Sequence, residues 1–250
     1  MTGIIRKVRD SIRNSKPGYA HRFLRYRYRT EPESIRFIQS LDLKGGSVLD
    51  VGANRGVYCY FLSRCVGPSG NVTAFEPQPD CRRTIDRVRR MFGLENLDVH
   101  DCGLSDRCTT ATIHRGRPEH GSASLHFNPG EHKVGLEVET RLVTLDSIAD
   151  TLPRPIRFVK IDIESHEPAM LRGAVDTLTA DKPVILVEIV EDQMEEVNGF
   201  LSDCGFVGSF HIGRTEHPIS EHASQPFEKG RRRRNYIFRP ADEVLTTPTS

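Results

Sequence analysis

The stretch Ser47-Val48-Leu49-Asp50-Val51-Gly52-Ala53-Asn54-Arg55-Gly56 decides the fold, because an apolar strand here breaks into a glycine turn that opens a helix. Glycine at 52 and 56 suits a backbone that bends sharply and approaches a ligand where a Cβ would collide. A dinucleotide fingerprint needs glycine at 52, 54 and 57, and the chain has Gly52, Asn54 and Val57, so a nicotinamide reading fails on spacing. Downstream, Ala74-Phe75-Glu76-Pro77 ends a second apolar run, 24 residues beyond Gly52. A carboxylate at such a strand end accepts hydrogen bonds from both hydroxyls of a ribose. Together at this spacing, the turn and the acid point to a nucleoside-containing cofactor.

Working outward, short β-rich runs alternate with helix-length amphipathic stretches, which predicts an α/β fold with helices on both faces of a mostly parallel sheet. Strands are expected near Val48 to Val51, Val72 to Phe75, Leu97 to His100, Arg157 to Ile163, Val184 to Ile189, Gly205 to Phe210 and Tyr236 to Phe238. One helix should run from Gly56 to about Val66, where Gly67-Pro68-Ser69-Gly70 stops it, and another from Pro79 to Met91. Between Asp106 and Asp150 the rhythm changes to two extended segments, Thr109 to His114 and Glu137 to Val143, around a loop rich in Gly, His and Pro. This insertion, at about 106–145, reads either as an acceptor lid or as an edge hairpin that only packs.

A parallel strand covered on both faces should be continuously apolar, and Phe158-Val159-Lys160-Ile161-Asp162-Ile163-Glu164 is not. The period of two puts Lys160, Asp162 and Glu164 on one face. Unpaired buried charges cost several kcal/mol each, roughly, so these must pair, meet a ligand or emerge at the strand's carboxyl end. The next strand repeats the anomaly at Glu188. His166 and Glu167 follow at once, before a helix with Pro168 in its first turn; Glu167 and Asp162 read equally as a helix cap and a partner for Lys160.

Three motifs in order, Asp50-Val51-Gly52-Ala53-Asn54-x-Gly56-x-Tyr58, Phe75-Glu76-Pro77 and Lys160-Ile161-Asp162-Ile163-Glu164-Ser165-His166-Glu167, resemble the signatures of the FkbM family of methyltransferases. The resemblance runs from about Val48 to Phe238. It implies the class I methyltransferase fold, a Rossmann-like three-layer sandwich with a seven-stranded sheet whose last strand is antiparallel, and S-adenosylmethionine (SAM) as donor. It also implies that Gly52, Asn54 and Gly56 contact the methionine part of SAM, Glu76 the ribose, and Asp101 or Cys102 the region of the adenine. The family pattern has glycine where this chain has Ser165, and a turn of positive φ accepts serine only with strain.

Methyl transfer from a sulfonium is an in-line displacement, so the protein chiefly positions the acceptor and relieves it of a proton. His166 is the natural base, oriented by Glu167 or Asp162. Alternatively Asp162, Glu164 and Glu188 hold Mg²⁺, which lowers the acceptor's pKa directly. The resemblance favours O-methylation of a sugar, glycan or secondary metabolite. Nucleic-acid methylation is disfavoured, because the Asn/Asp-Pro-Pro-aromatic run it typically uses is replaced by Asp162-Ile163-Glu164-Ser165. A third reading is a non-catalytic SAM-binding module recruited by a basic arm.

The 250 residues suffice for one sizeable core, with 37% apolar and 28% charged residues. The longest apolar runs are far short of the roughly 18–20 residues of a membrane span, and no secretory signal opens the chain, so a cytoplasmic protein is expected. Six scattered cysteines give neither a disulfide framework nor zinc spacing. The net charge of +1 hides an asymmetry: residues 1–30 carry nine Lys and Arg against Asp10, which leaves about −7 for the rest. Ile4, Ile5, Val8 and Ile12 fall at helical spacing among Arg6, Lys7, Arg9 and Arg13, a pattern that fits either a solvated arm or contact with an anionic membrane or partner. A second basic run, Lys229 and Arg231 to Arg234, reads as a solvated loop rather than as a hold for an anionic acceptor or nucleic acid, the alternative it leaves open. The expected organisation is a basic arm and helix over 1–40, the cofactor-binding domain over 41–240 and a polar tail over 241–250.

Overall fold

The computed structural model describes residues 11–115, 123–124, 136–225 and 232–245. Helix α1 (Lys16–Arg25) starts at Ser15, whose hydroxyl accepts from the Gly18 N–H at 3.3 Å, and carries Pro17 in its first turn. A π-helical turn, Tyr26–Thr30, leads into α2 (Pro32–Ser40). The decisive stretch then forms β1 (Ser47–Val51) and α3 (Val57–Val66), which stops at Gly67 with φ +69°. There follow β2 (Asn71–Phe75), α4 (Pro79–Phe92) and β3 (Leu97–His100). The insertion supplies β4 (Gly103–Leu104), β5 (Thr109–Arg115), β6 (Ala123–Ser124) and β7 (Leu136–Val143), with α5 (Leu145–Ile148) after it. The second half runs β8 (Ile156–Ile161), α6 (Glu167–Arg172), α7 (Val175–Asp181), β9 (Val184–Val190) and α8 (Met194–Asp203). It closes with β10 (Phe206–Ile212), β11 (Thr215–Pro218), β12 (Arg233–Pro240) and α9 (Ala241–Leu245).

The main sheet has the order β11-β10-β12-β9-β8-β1-β2-β3. Its first five strands in the chain, β1, β2, β3, β8 and β9, pair in parallel, and β12 lies antiparallel between β9 and β10. This is the seven-stranded sheet expected from the sequence plus one edge strand, β11, that returns from β10 as a hairpin. The insertion forms a separate four-stranded sheet in the order β4-β7-β5-β6.

Strand periodicity sends adjacent residues to opposite cores. Leu49, Val159, Ile161, Ile185 and Val187 pack with Met170, Leu171 and Leu178 of α6 and α7. Val48, Phe158 and Leu186 pack with Tyr19, Phe23, Ile35 and Ile38 of α1 and α2. Residues 16–40 are therefore part of the fold, not a solvated arm: Tyr19, Ile35 and Ile38 are fully buried. The apolar residues at positions 4, 5 and 8, and the basic pair Lys229 and Arg231, lie outside the described residues. No helix among the described residues is long and apolar enough to cross a membrane.

Candidate active site

β1 and β8 are neighbours whose crossovers leave in opposite directions, the switch point at which open α/β sheets hold ligands beyond the carboxyl ends of their strands. Here Gly52 has φ +80°, and a Cβ on it would stand 2.0 Å from the carbonyl oxygen of Asp162. The turn continues through Asn54 (φ +50°) and Gly56 (φ +75°). It runs beside a cleft lined by Gly52, Asn54, Glu76, Gln78, Asp162 and His166, among others. Apolar walls come from Phe75 and, from the insertion, Leu104, Ile113 and Leu142. The insertion thus both pairs as a hairpin and walls the cleft.

Glu76 is 2% exposed, and its carboxylate accepts from the backbone N–H of Asn54 (2.7 Å) and of Gln78 (2.8 Å). Burial pushes its pKa up to about 7 in spite of those donors. Gln78, also buried, has a side-chain oxygen with no hydrogen-bond partner in the protein. Asp50 lies beneath the turn, accepts from the Cys59 thiol at 3.1 Å and is raised by burial to about 6; it does not line the cleft. Asp101 and Cys102 do not line it either. Asp101 is paired with Arg82 (3.4 Å) and Arg141 (3.8 Å), and the Cys102 side chain is packed in the core.

The charged residues of β8 and β9 share the face that carries α1 and α2. Lys160 is 1% exposed, with its ammonium 3.6 Å from Asp162 and 4.8 Å from the centre of the Tyr58 ring. Burial works against that charge, yet Asp162, Glu31, Glu188 and Asp50 around it leave its pKa above the ordinary lysine value. Glu31, just before α2, accepts from the Tyr58 hydroxyl and from Asn235 Nδ2 at 3.4 Å. Glu188 is raised to about 8, first by burial and then by Asp162. Arg233 on β12 reaches Glu164 at 2.8 Å and Glu188 at 3.9 Å. A half-buried, ion-paired acidic cluster therefore adjoins the cleft, sharing with its lining Asp162 and Glu164.

Three sequence expectations change. The Mg²⁺ arrangement is replaced by ion pairs: Glu164 and Glu188 turn to Arg233 and Asp162 to Lys160, and the described residues gather no group of three His, Cys, Asp or Glu side chains able to hold a metal. Glu167 does not orient His166. It is fully buried, and one of its oxygens accepts from the Ile163 (3.0 Å) and Ser165 (3.3 Å) N–H groups, bracing the loop in which Glu164 and Ser165 have φ of +55° and +75°. His166 faces the insertion, its Nε2 2.9 Å from the Ser105 hydroxyl, in the wall shared with a second groove lined by Arg107, Arg172 and Gln193. Sequence reasoning did not find Glu31, Gln78, Ser105 or Asn235. Glu31 and Ser105 stand in no motif and only the fold brings them to the site, whereas Gln78 follows Phe75-Glu76-Pro77 directly and Asn235 opens the closing segment Asn235-Tyr236-Ile237-Phe238 of the family resemblance.

Compared with known proteins, residues 50–207 match the family described as the methyltransferase FkbM domain. The hexuronic acid methyltransferase AglP of Haloferax volcanii is 31% identical over 169 residues, which are 63% of this chain and 62% of that protein. Among solved structures, a methyltransferase FkbM from Methylobacillus flagellatus superposes with a TM-score of 0.51 at 17% identity, covering 86% of this chain and 52% of that one. A Streptococcus mutans protein in complex with S-adenosylhomocysteine superposes with a TM-score of 0.50 at 12% identity, covering 82% and 94%. The chain thus spans less than two thirds of the length of AglP, and the solved structures share its fold.

Proposed function

Because the chain belongs to the FkbM methyltransferase family, we propose that it transfers a methyl group from SAM to a hydroxyl of a sugar-type acceptor. The observation that carries the reading is the buried Glu76 carboxylate held against the Gly52 turn by the Asn54 N–H, on the wall of the cleft. The residues fit the cofactor. Glu76 has lone pairs for a ribose diol, the orphaned Gln78 oxygen can accept from an adenine amino group, and Phe75, Leu104, Ile113 and Leu142 offer apolar faces to a flat base. The backbone at Gly52, Asn54 and Gly56 would hold the amino-acid end. Bound there, SAM supplies an electrophilic methyl on a sulfonium.

The acidic cluster beside the cleft supports a hydroxylated acceptor, because the carboxylates of Asp162 and Glu164 on the cleft wall can accept from sugar hydroxyls. Glu188 is the base we assign. Its pKa near 8 lies close to the working pH, where a general base is most effective. Asp162 and Glu164 orient the acceptor, and Lys160 fixes Asp162. His166, tied to Ser105, shapes the wall of the cofactor cleft. AglP is named for a hexuronic acid, and a uronate carboxylate would share Arg233 with Glu164 and Glu188, which hold it in this structure. The test is transfer from methyl-labelled SAM to p-nitrophenyl β-glucuronide and to the matching glucoside. Transfer to the uronide, abolished in Glu188→Gln and only reduced in His166→Gln, is expected. Transfer to RNA and to neither sugar, or full activity in Glu188→Gln, would refute the acceptor and base assignments.

A further inference from the structure

Residues 11–30 contain Arg13, Lys16, Arg22, Arg25, Arg27 and Arg29 and no acidic residue. α1 turns Tyr19 and Phe23 inward, the Phe23 ring stacking on Tyr60 at 4.1 Å and meeting Phe92 edge-on at 5.2 Å. The opposite side carries Leu24 and Tyr28, one turn apart, at 55% and 66% exposure, with Ile12 nearby at 63%. Three of the six large apolar side chains exposed among the described residues therefore fall within 17 positions of one basic segment.

Of the exposed cations elsewhere, Arg83 pairs with Asp80, Arg107 with Asp106, Arg172 with Glu196 and Lys182 with Asp242, whereas Lys44, Arg90 and Arg214 are unpaired among the described residues but scattered along the chain. Arg13, Lys16, Arg25, Arg27 and Arg29 have no carboxylate partner within ion-pair distance among the described residues. Folding does not call for a row of unpaired like charges around exposed Leu and Tyr. The combination is that of an interfacial helix, with apolar tips sunk into the boundary between headgroups and acyl chains and a rim of arginine on lipid phosphates.

We propose that the outward face of α1 and of the Tyr26–Thr30 turn docks on an anionic lipid bilayer. Residues 31–250 carry about −7, so the protein is polarised and its basic face is steered toward such a surface. A nucleic-acid backbone would match the arginines but offers Ile12 and Leu24 nothing apolar to enter, which favours the bilayer. The segment ends at Glu31, so the docking face is continuous in sequence with the acidic cluster. The proposal stands independently of the methyltransferase reading.

Co-sedimentation of the full chain with phosphatidylcholine vesicles, with and without about 30 mol% phosphatidylserine, tests it. Binding is expected only with the anionic lipid, and should fall between about 0.1 and 0.5 M salt. The triple variant Arg25→Gln, Arg27→Gln, Arg29→Gln should lose about fivefold in affinity per charge. The double variant Leu24→Ser, Tyr28→Ser should weaken binding at low salt too, and both should keep the wild-type melting temperature. Failure to sediment, or equal binding by the triple variant, overturns the proposal. So does binding to a DNA duplex that is at least as tight as to vesicles and indifferent to Leu24 and Tyr28.

Discussion

Gly52, Gly56 and Gly67 all have positive φ, +80°, +75° and +69°, and face three different surroundings; Gly56 is left-handed with ψ 26°, whereas Gly67 has ψ −175°, a region open essentially to glycine alone. Alanine incurs a backbone penalty of ~1–2 kcal/mol in the left-handed region and of ~1–3 kcal/mol at Gly67. At Gly67 nothing lies within 4 Å of the added methyl, so that penalty should be the whole effect. At Gly56 the methyl would meet Ile85 Cγ1 at 3.3 Å, a side chain able to yield, which adds under about 1 kcal/mol. At Gly52 it would sit 2.0 Å from the Asp162 carbonyl oxygen, about 1 Å inside the closest contact that real Cβ atoms make. The obstacle is the backbone of the neighbouring strand, beside the 3.0 Å hydrogen bond from the Asp162 N–H to the Val51 oxygen. Parting β1 from β8 there should bring the total to ~3–5 kcal/mol. Urea unfolding of the three Gly→Ala variants measures the series. The largest loss is expected at 52, and Gly52→Ala no less stable than Gly67→Ala would refute the reasoning.

Ser165→Gly should stabilise the chain by ~0.5–1 kcal/mol, since Ser165 holds φ +75°, and raise the melting temperature by a few degrees. Lys160→Met should cost ~3–5 kcal/mol at pH 8 by leaving Asp162, Glu31, Glu188 and Asp50 facing one another. That loss should shrink toward pH 5, as Glu188 (about 8) and Asp50 (about 6) take up protons; an equal loss at both pH values would argue against the cluster. Glu76 is raised from 4.5 to about 7, so between those values the folded chain binds a proton that the unfolded chain has released. Its contribution is complete at low pH and is lost as pH rises through 7, amounting to ~3 kcal/mol at most. Unfolding of wild type and Glu76→Gln across pH 4–8 should show the flatter profile in the variant.

The features legible in the sequence are those whose cause is local. The Gly52 turn, the stop at Gly67 and the carboxylate at the end of β2 each announce themselves within a few residues. The polar face of β8 was legible as an anomaly, but its resolution was not. Lys160 finds Glu31 and Tyr58 only because α1 and α2 pack on that face, and nothing near Glu31 in the chain marks it. β12 extends to Arg233, beyond the apolar core Tyr236 to Phe238, because antiparallel pairing with β9 orders arginines that read as loop. β11, Thr-Glu-His-Pro, has no apolar alternation and exists through its pairing with β10. His166 read as a base because an imidazole beside carboxylates usually suggests one, whereas its bond to Ser105 across 61 positions was set by the insertion.

The most direct test of the central claim is calorimetry of the purified chain with SAM and with S-adenosylhomocysteine, repeated on Glu76→Ala with folding checked by thermal melting. Micromolar binding of both by wild type, weakened at least about tenfold in the folded variant, is the predicted result, from the loss of charge-assisted bonds to the ribose. A folded wild-type chain that binds neither would contradict the assignment of the cleft as a cofactor site and, with it, the proposed activity.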